Sequence, residues 1–188
     1  FVSIKRPTIS DLLSMDKEDK SLVNYKKALL GDIDENALKK NEPPEVEIQK
    51  IEIVCEGRPG GPIVLDFMKK VNGKTLFDKT NEPYRIKEDA VYFLRVHFKV
   101  NYNIVINLKY GNIVRSGGLF KQIVDKHEEL MGSFSPQKQI QVVDLGLEQA
   151  PSGFFARGNY DGKAMFFDAD GIVHMQYDYK FRLSSHWQ

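Results

Sequence analysis

The stretch "VHMQYDYKFRL", Val173 to Leu183, alternates almost without a break. Val173, Met175, Tyr177, Tyr179, Phe181 and Leu183 fall on one face, and His174, Gln176, Asp178, Lys180 and Arg182 on the other. Successive side chains of a strand point to opposite sides, so this segment reads as a strand with one face in a core and one in water. Moving back along the chain, the same period of two recurs. In "AVYFLRVHFKV", Tyr92, Leu94, Val96, Phe98 and Val100 alternate with Arg95, His97 and Lys99. "NIVINLKY" places Ile104, Ile106, Leu108 and Tyr110 together, and "QIQVVDL", "GFFARGNYDG" and "KAMFFD" continue the pattern. "VEIQKIEIVCE" alternates with a phase slip at Gln49–Lys50, the mark of a β-bulge. "GRPGGP" is a turn leading into the short strand "IVLDF". Strand after strand separated by turns, with no internal repeat, predicts an antiparallel β-sandwich of immunoglobulin-like type without its disulfide.

The first 43 residues differ. Ser10 ahead of "DLLSM" and Asp19 or Ser21 ahead of "LVNYKKALLG" are helix-capping residues. Leu22, Tyr25, Leu29 and Leu30 make one stripe at i, i+3, i+7 and i+8, and Gly31 is the expected stop. A helix of about 12 residues is marginal alone in water. The polar "DIDENALKKNEPPE" that follows is a linker. The expected organisation is therefore all-β: a flexible helical N-terminal arm over 1–43, partly disordered when free, and a sandwich over 44–188.

Bulk properties narrow the function. A net charge of +1 gives no overall argument for nucleic acid or for a basic partner. No apolar run approaches the roughly 20 residues of a membrane-spanning helix. No charged-then-apolar leader is visible, although a chain opening on Phe1 is expected to have residues upstream. The lone cysteine, Cys55, lies inside a strand and reads as a small core residue, and a reducing, cytoplasmic compartment is expected. His97, His127, His174 and His186 have no metal-ligand spacing and read as surface histidines. "DADG", Asp168 to Gly171, lacks the further ligands of a calcium loop and reads as a turn. No nucleophile elbow or phosphate loop is present, no metal-ligand set is expected, and the plentiful carboxylates leave an acid/base pair open, with nothing in the sequence to select one. The inward faces are unusually aromatic: Tyr92, Phe93, Phe98, Phe154, Phe155, Phe166, Phe167, Tyr177, Tyr179 and Phe181. They make either a tight core or, where the sheets splay apart, the walls of an apolar cavity.

Several ordered segments resemble the Rho GDP-dissociation inhibitors. "MDKEDKSLVNYKKALLG" is similar to the family's arm, and "IEIVCEGRPGGPIVLDF" to its first sandwich hairpin. "VHFKVNYNIVINLKY", "MGSFSP", "EQAPSGFFARGNY" and the closing strand with Trp187 match in turn. The resemblance implies a binding protein rather than an enzyme, without a cofactor of its own, that holds prenylated Rho- and Rac-type GTPases, mainly GDP-bound, as a 1:1 complex in the cytoplasm. It implies an arm that docks on the GTPase switch regions through Asp19, Leu22, Tyr25, Leu29 and Leu30. It implies an isoprenyl pocket at Ile53, Tyr84, Ile104, Phe155, Met175, Tyr177 and Tyr179, with the partner's geranylgeranyl or farnesyl group as ligand. Acidic groups facing a basic GTPase tail are expected among Asp125, Glu128, Glu129, Glu148, Asp168 and Asp170. The chain departs from the family pattern at Tyr177 and Tyr179, where Trp is usual, at Tyr84 for Phe, at Phe155 for Leu, and at Gly162 for an aliphatic residue. The alternative is a general prenyl-tail carrier on the same sandwich, without selectivity for GTPase switches.

Overall fold

The computed structural model describes residues 42–71, 74–75, 83–117 and 119–187. The arm, with Asp19, Leu22, Tyr25, Leu29 and Leu30, lies outside the described residues. Two sheets face each other. The first has the order β10-β6-β1-β2, with β9 also on β6. Its strands are β1 (Glu45–Cys55), β2 (Ile63–Asp66), β6 (Val91–Asn101), β9 (Gln141–Asp144) and β10 (Glu148–Gln149). The second has the order β5-β12-β11-β7-β8. It comprises β5 (Tyr84–Lys87), β7 (Val105–Ser116), β8 (Ile123–Phe134), β11 (Gly158–Phe167) and β12 (Val173–Ser184). A small hairpin, β3 (Lys70–Val71) with β4 (Lys74–Thr75), stands apart from both.

Alternation decides which side chains meet between the sheets. Ile51, Val96 and Phe98 from the first and Leu108, Ala164 and Phe166 from the second are 0% exposed. Phe98 meets the ring of Phe134 edge-on at 4.9 Å, an arrangement favoured by the ring quadrupoles. The bulge expected at Gln49–Lys50 is present. The β1–β6 register shifts between Ile48 and Lys50, and the spare Gln49 carbonyl accepts the Phe67 N–H at 3.0 Å. The bulge keeps Val46 and Ile48 on the same inner face as Ile51 and Ile53. Cys55 is buried as a small core residue, and burial pushes its thiol up.

Five features differ from what the sequence leads one to expect. The strand "NIVINLKY" changes phase: Val105 is fully buried while Ile106 is 37% exposed. Asn107 takes a left-handed φ of 50°, and the β7–β8 register breaks between Val105 and Leu108. β5 runs parallel to β12, so the second sheet is mixed rather than purely antiparallel. Phe154 and Phe155 lie in a 3-10 turn, Phe154–Ala156, and are 78% and 98% exposed, not inward. Phe93 and Phe167 lie on outer faces, under the charged ends of Arg95 and Lys109.

The remaining correction concerns His174, which simple alternation puts in water. The β11–β12 ladder skips it, pairing Phe166 with Met175 and Phe167 with Val173. This irregularity turns the imidazole inward, where its side chain is 3% exposed beside Asp168 at 1%. His174 Nδ1 accepts the Val46 N–H at 3.3 Å, which leaves Nε2 to donate to Asp168 Oδ2 at 3.2 Å. Asp168 Oδ1 accepts the amides of Asp170 and Ile172. One imidazole thus ties the first strand of one sheet to the last strand of the other. Buried donors and acceptors left without partners cost about 1–3 kcal/mol. His174→Ala is expected to lower the unfolding free energy by about that amount in urea titrations. A loss below about 0.5 kcal/mol, the lower bound of an ordinary hydrogen bond, would show the tie to be dispensable.

Candidate functional site

The sheets do not close over their whole length. β7, β11 and β12 each supply core residues towards one end and line a cavity or cleft towards the other. β12 illustrates the division. Met175 packs on the core, Tyr177 and Tyr179 line a narrow cavity of about 60 Å³, and Phe181 and Leu183 reach a wider cleft of about 570 Å³. Ile86, Tyr92, Val114, Asp125, Glu148 and Phe181 line both spaces, so the two adjoin and together make up the inter-sheet passage. One wall of the inner cavity is aliphatic, formed by Ile51, Ile53, Leu65 and Leu94. The other is aromatic. Tyr84 stacks within 15° on Tyr179 and within 19° on Phe181, and Tyr160 stacks within 14° on Phe181. Parallel pairing of β5 with β12 puts Tyr84 directly beside Phe181 and so builds this wall.

The polar groups are few and already engaged. Tyr179 donates to Asn112 Oδ1 at 2.8 Å, and Tyr92 donates to Glu148 Oε2 at 2.6 Å. Burial pushes the phenols of Tyr84, Tyr110, Tyr177 and Tyr179 well above their ordinary range. Burial also raises Tyr92, and the neighbouring Glu148 charge adds to the effect. These phenols are uncharged and, with the aliphatic wall, suit an apolar occupant. Carboxylates gather at its edge. Asp125 and Glu148 line it, and His127 lies 3.8 Å from Glu148 and 3.4 Å from Glu129. Glu129 also accepts the Gly146 N–H at 2.7 Å. Among the described residues, no group of three or more His, Cys, Asp and Glu is placed to hold a metal ion.

Of the residues expected in the pocket, the structure brings together Ile53, Tyr84, Tyr177 and Tyr179. It does not bring Ile104, Phe155 or Met175 to the passage. Ile104 sits before β7 at the closed end, where the Asn107 phase change gives the core position to its neighbour Val105. Phe155 points outward from the 3-10 turn, although the adjacent Ala156 does line the cleft. Met175 packs into the core. Asp125, Glu129 and Glu148 lie together at the edge, whereas Asp168 and Asp170 are placed elsewhere. They occupy the turn between β11 and β12, at the opposite end of β12 from Phe181 and Leu183, and Asp168 is consumed by His174 and two amides. Glu128 lies on the outer face, 2.8 Å from Lys109 Nζ. Sequence reasoning missed Asn112 altogether. Its signal was a polar residue in register with Leu108, Tyr110 and Val114 on an otherwise apolar face.

The chain can now be set beside known proteins. The RHO protein GDP dissociation inhibitor family matches residues 3–186. A Rho GDP-dissociation inhibitor 1 of Arabidopsis thaliana is 36% identical over 96% of this chain and 70% of its own length. The Rho GDP-dissociation inhibitor of Saccharomyces cerevisiae is 34% identical over 93% of this chain and 84% of its own. Rho GDP-dissociation inhibitor 1 of Bos taurus is 30% identical over 96% and 83%. With a family match from end to end and an apolar passage between two sheets, the chain belongs to the Rho GDP-dissociation inhibitors, regulatory proteins rather than enzymes.

Proposed function

We propose that the chain keeps a prenylated Rho-type GTPase, mainly in its GDP-bound form, in the cytoplasm as a 1:1 complex. The isoprenyl tail enters between the sheets, and the arm over 1–43 lies on the switch regions and hinders nucleotide release. The observation that carries this reading is the passage itself: apolar walls running from an open cleft into the sandwich, with carboxylates at the edge. The cleft volume of about 570 Å³ falls within the range of small-molecule sites. No helix among the described residues is long and apolar enough to cross a membrane.

The energetics suit a carrier. Each buried methylene is worth about 0.8 kcal/mol in either bilayer or pocket, so moving the tail exchanges two similar terms. Contacts outside the tail then decide the direction. A basic segment beside the lipid favours an anionic membrane by about 1 kcal/mol per charge. Asp125, Glu129 and Glu148 offer a competing acidic surface at the edge of the passage. On the arm, Asp19 accepts hydrogen bonds from the switch region while Leu22, Tyr25, Leu29 and Leu30 form its apolar contact. A marginal helix that orders only on its partner is consistent with this role. The general-carrier alternative has no use for such an arm, whereas the family match begins at residue 3 and includes it.

Deleting residues 1–43 should abolish inhibition of GDP release while leaving binding of a prenylated peptide intact; loss of both together would refute the division of labour. Asp19→Ala should weaken GTPase binding by about 1.5–3 kcal/mol, the worth of a hydrogen bond to a charged group, measured by titration calorimetry. Unchanged affinity would remove Asp19 from the interface. Asp125→Lys should slow extraction of the GTPase from anionic vesicles, most strongly at low salt, where screening is weakest. A salt-independent effect would mean that Asp125 does not act through the basic tail.

A further inference from the structure

Where the second sheet borders the cleft, its two faces carry opposite charge. Asp125 and Glu129 on β8 pair with buried Val114 and Tyr110 and so lie on the inner face. The outer face at the same end is basic. Pairing across the ladders puts Arg182 beside Arg85, Ser184 beside Lys87, and Lys180 beside Asp161, which pairs in turn with Arg115. The next row sets Lys163 between Asp178 and Ile113, with Lys126 beyond. Seven cations thus share this half of the face with two carboxylates, Asp161 and Asp178. Asp161 is held by Lys121 at 2.9 Å. Arg85, Lys87, Lys126, Lys180 and Arg182 are exposed and have no ion-pair partner among the described residues. The whole chain is only +1, so the excess is local.

The rim of this end is apolar. The Gly117 N–H donates to the Asn159 carbonyl at 2.7 Å, which fastens the β7–β8 connection beside the start of β11. On that connection Leu119 and Phe120 are 98% and 89% exposed, and Phe154 and Phe155, just ahead of β11, are almost as free. Val124 and Ala156, close by in sequence, line the cleft, so the four side chains stand around its entrance. Neither Leu119 to Val124 nor Pro151 to Asn159 contains a carboxylate. Clustered apolar side chains of this size mark a contact surface. Aromatic tips beside a basic face have the composition of a surface at a bilayer interface, with cations on the headgroups and rings among the upper acyl chains. A soluble polyanion would answer the cations alone.

Resting on the reading of the passage as a lipid pocket, we propose that the basic outer face of the second sheet at the open end, together with the rim of Leu119, Phe120, Phe154 and Phe155, docks on an anionic phospholipid bilayer. The cations hold the sheet against the headgroups and the rim rings enter the interface. The cleft then opens towards the acyl region, where a prenyl tail resides. Asp125 and Glu129 stay on the inner side, free to meet a basic segment that accompanies the tail. Attraction through exposed charges is weak and salt-sensitive. The contact is therefore reversible, as a carrier that must leave with its cargo requires.

The test is flotation of the full chain with vesicles of phosphatidylcholine alone or of phosphatidylcholine with phosphatidylserine. The wild type should bind the phosphatidylserine vesicles roughly fivefold more tightly or better, and added salt should erode the difference. Lys180→Glu with Arg182→Glu should cut that binding about tenfold. Phe120→Ser with Phe155→Ser should cut it about fivefold. Both variants should keep wild-type melting curves and wild-type affinity for a fluorescent farnesyl-cysteine methyl ester in solution. Equal binding to both vesicle types, or binding that the charge pair leaves unchanged, would overturn the docking face. Binding weakened by the charge pair but untouched by the rim pair would overturn the bilayer as its occupant and mark the face as one for a soluble polyanion. A wild type that docks on vesicles yet takes up no prenyl probe would instead overturn the lipid-pocket reading and leave the docking face standing.

Discussion

The two sheets pack tightly against one another at one end and not at the other. At the closed end, Phe98 and Phe166 interlock with Val96, Leu108 and Val105, all essentially without solvent exposure. His174 adds a hydrogen-bonded tie between β12 and the start of β1. Interiors packed this densely resist deformation. The closed end can therefore hold the sandwich together while the other end stands apart. Everything that makes the protein a candidate lipid carrier depends on that asymmetry.

At the open end, aromatic side chains do two jobs. Tyr160, Phe181, Tyr84 and Tyr179 form a nearly parallel stack that lines the passage. Their surfaces are apolar, so water inside gains little, while the hydroxyls of Tyr92 and Tyr179 find partners in Glu148 and Asn112. A tight core would have filled the same volume with aliphatic side chains. Here the volume is kept, and the polar atoms that keep it are satisfied without an uncompensated charge. The carboxylates stay at the edge, where water solvates them and where a basic partner can reach them.

Most of the sandwich was legible in the sequence because alternation has a direct physical cause: a strand with one buried face must repeat every two residues. Met175 to Leu183 and Leu94 to Val100 behave as their patterns indicate, and the bulge at Gln49–Lys50 was visible as a slip in phase. The misreadings share a cause. Ile104, Ile106 and His174 lie beside irregularities, at Asn107 and between Phe166 and Phe167, where the count of two breaks. Phe155 was misplaced differently: a large apolar side chain in a short turn has no period to say which way it points. Asp168 and Asp170 were grouped with the mouth because charge alone carries no position along a strand.

The sequence by itself determined the class of fold, the inward face of most strands, and, through motifs spread over the whole chain, the family. Those are properties of local periodicity and of residue order, which a single chain displays without folding. Only the tertiary structure decided that β5 lies parallel to β12, that Asn112 faces Tyr179, and that Gly162 is the seat of a phenol ring. Each of these joins residues distant in the chain, and the contact arises only when separate strands are brought side by side. The chemistry of the passage is likewise a product of the assembly, because its aliphatic wall comes from one sheet and its aromatic wall from the other.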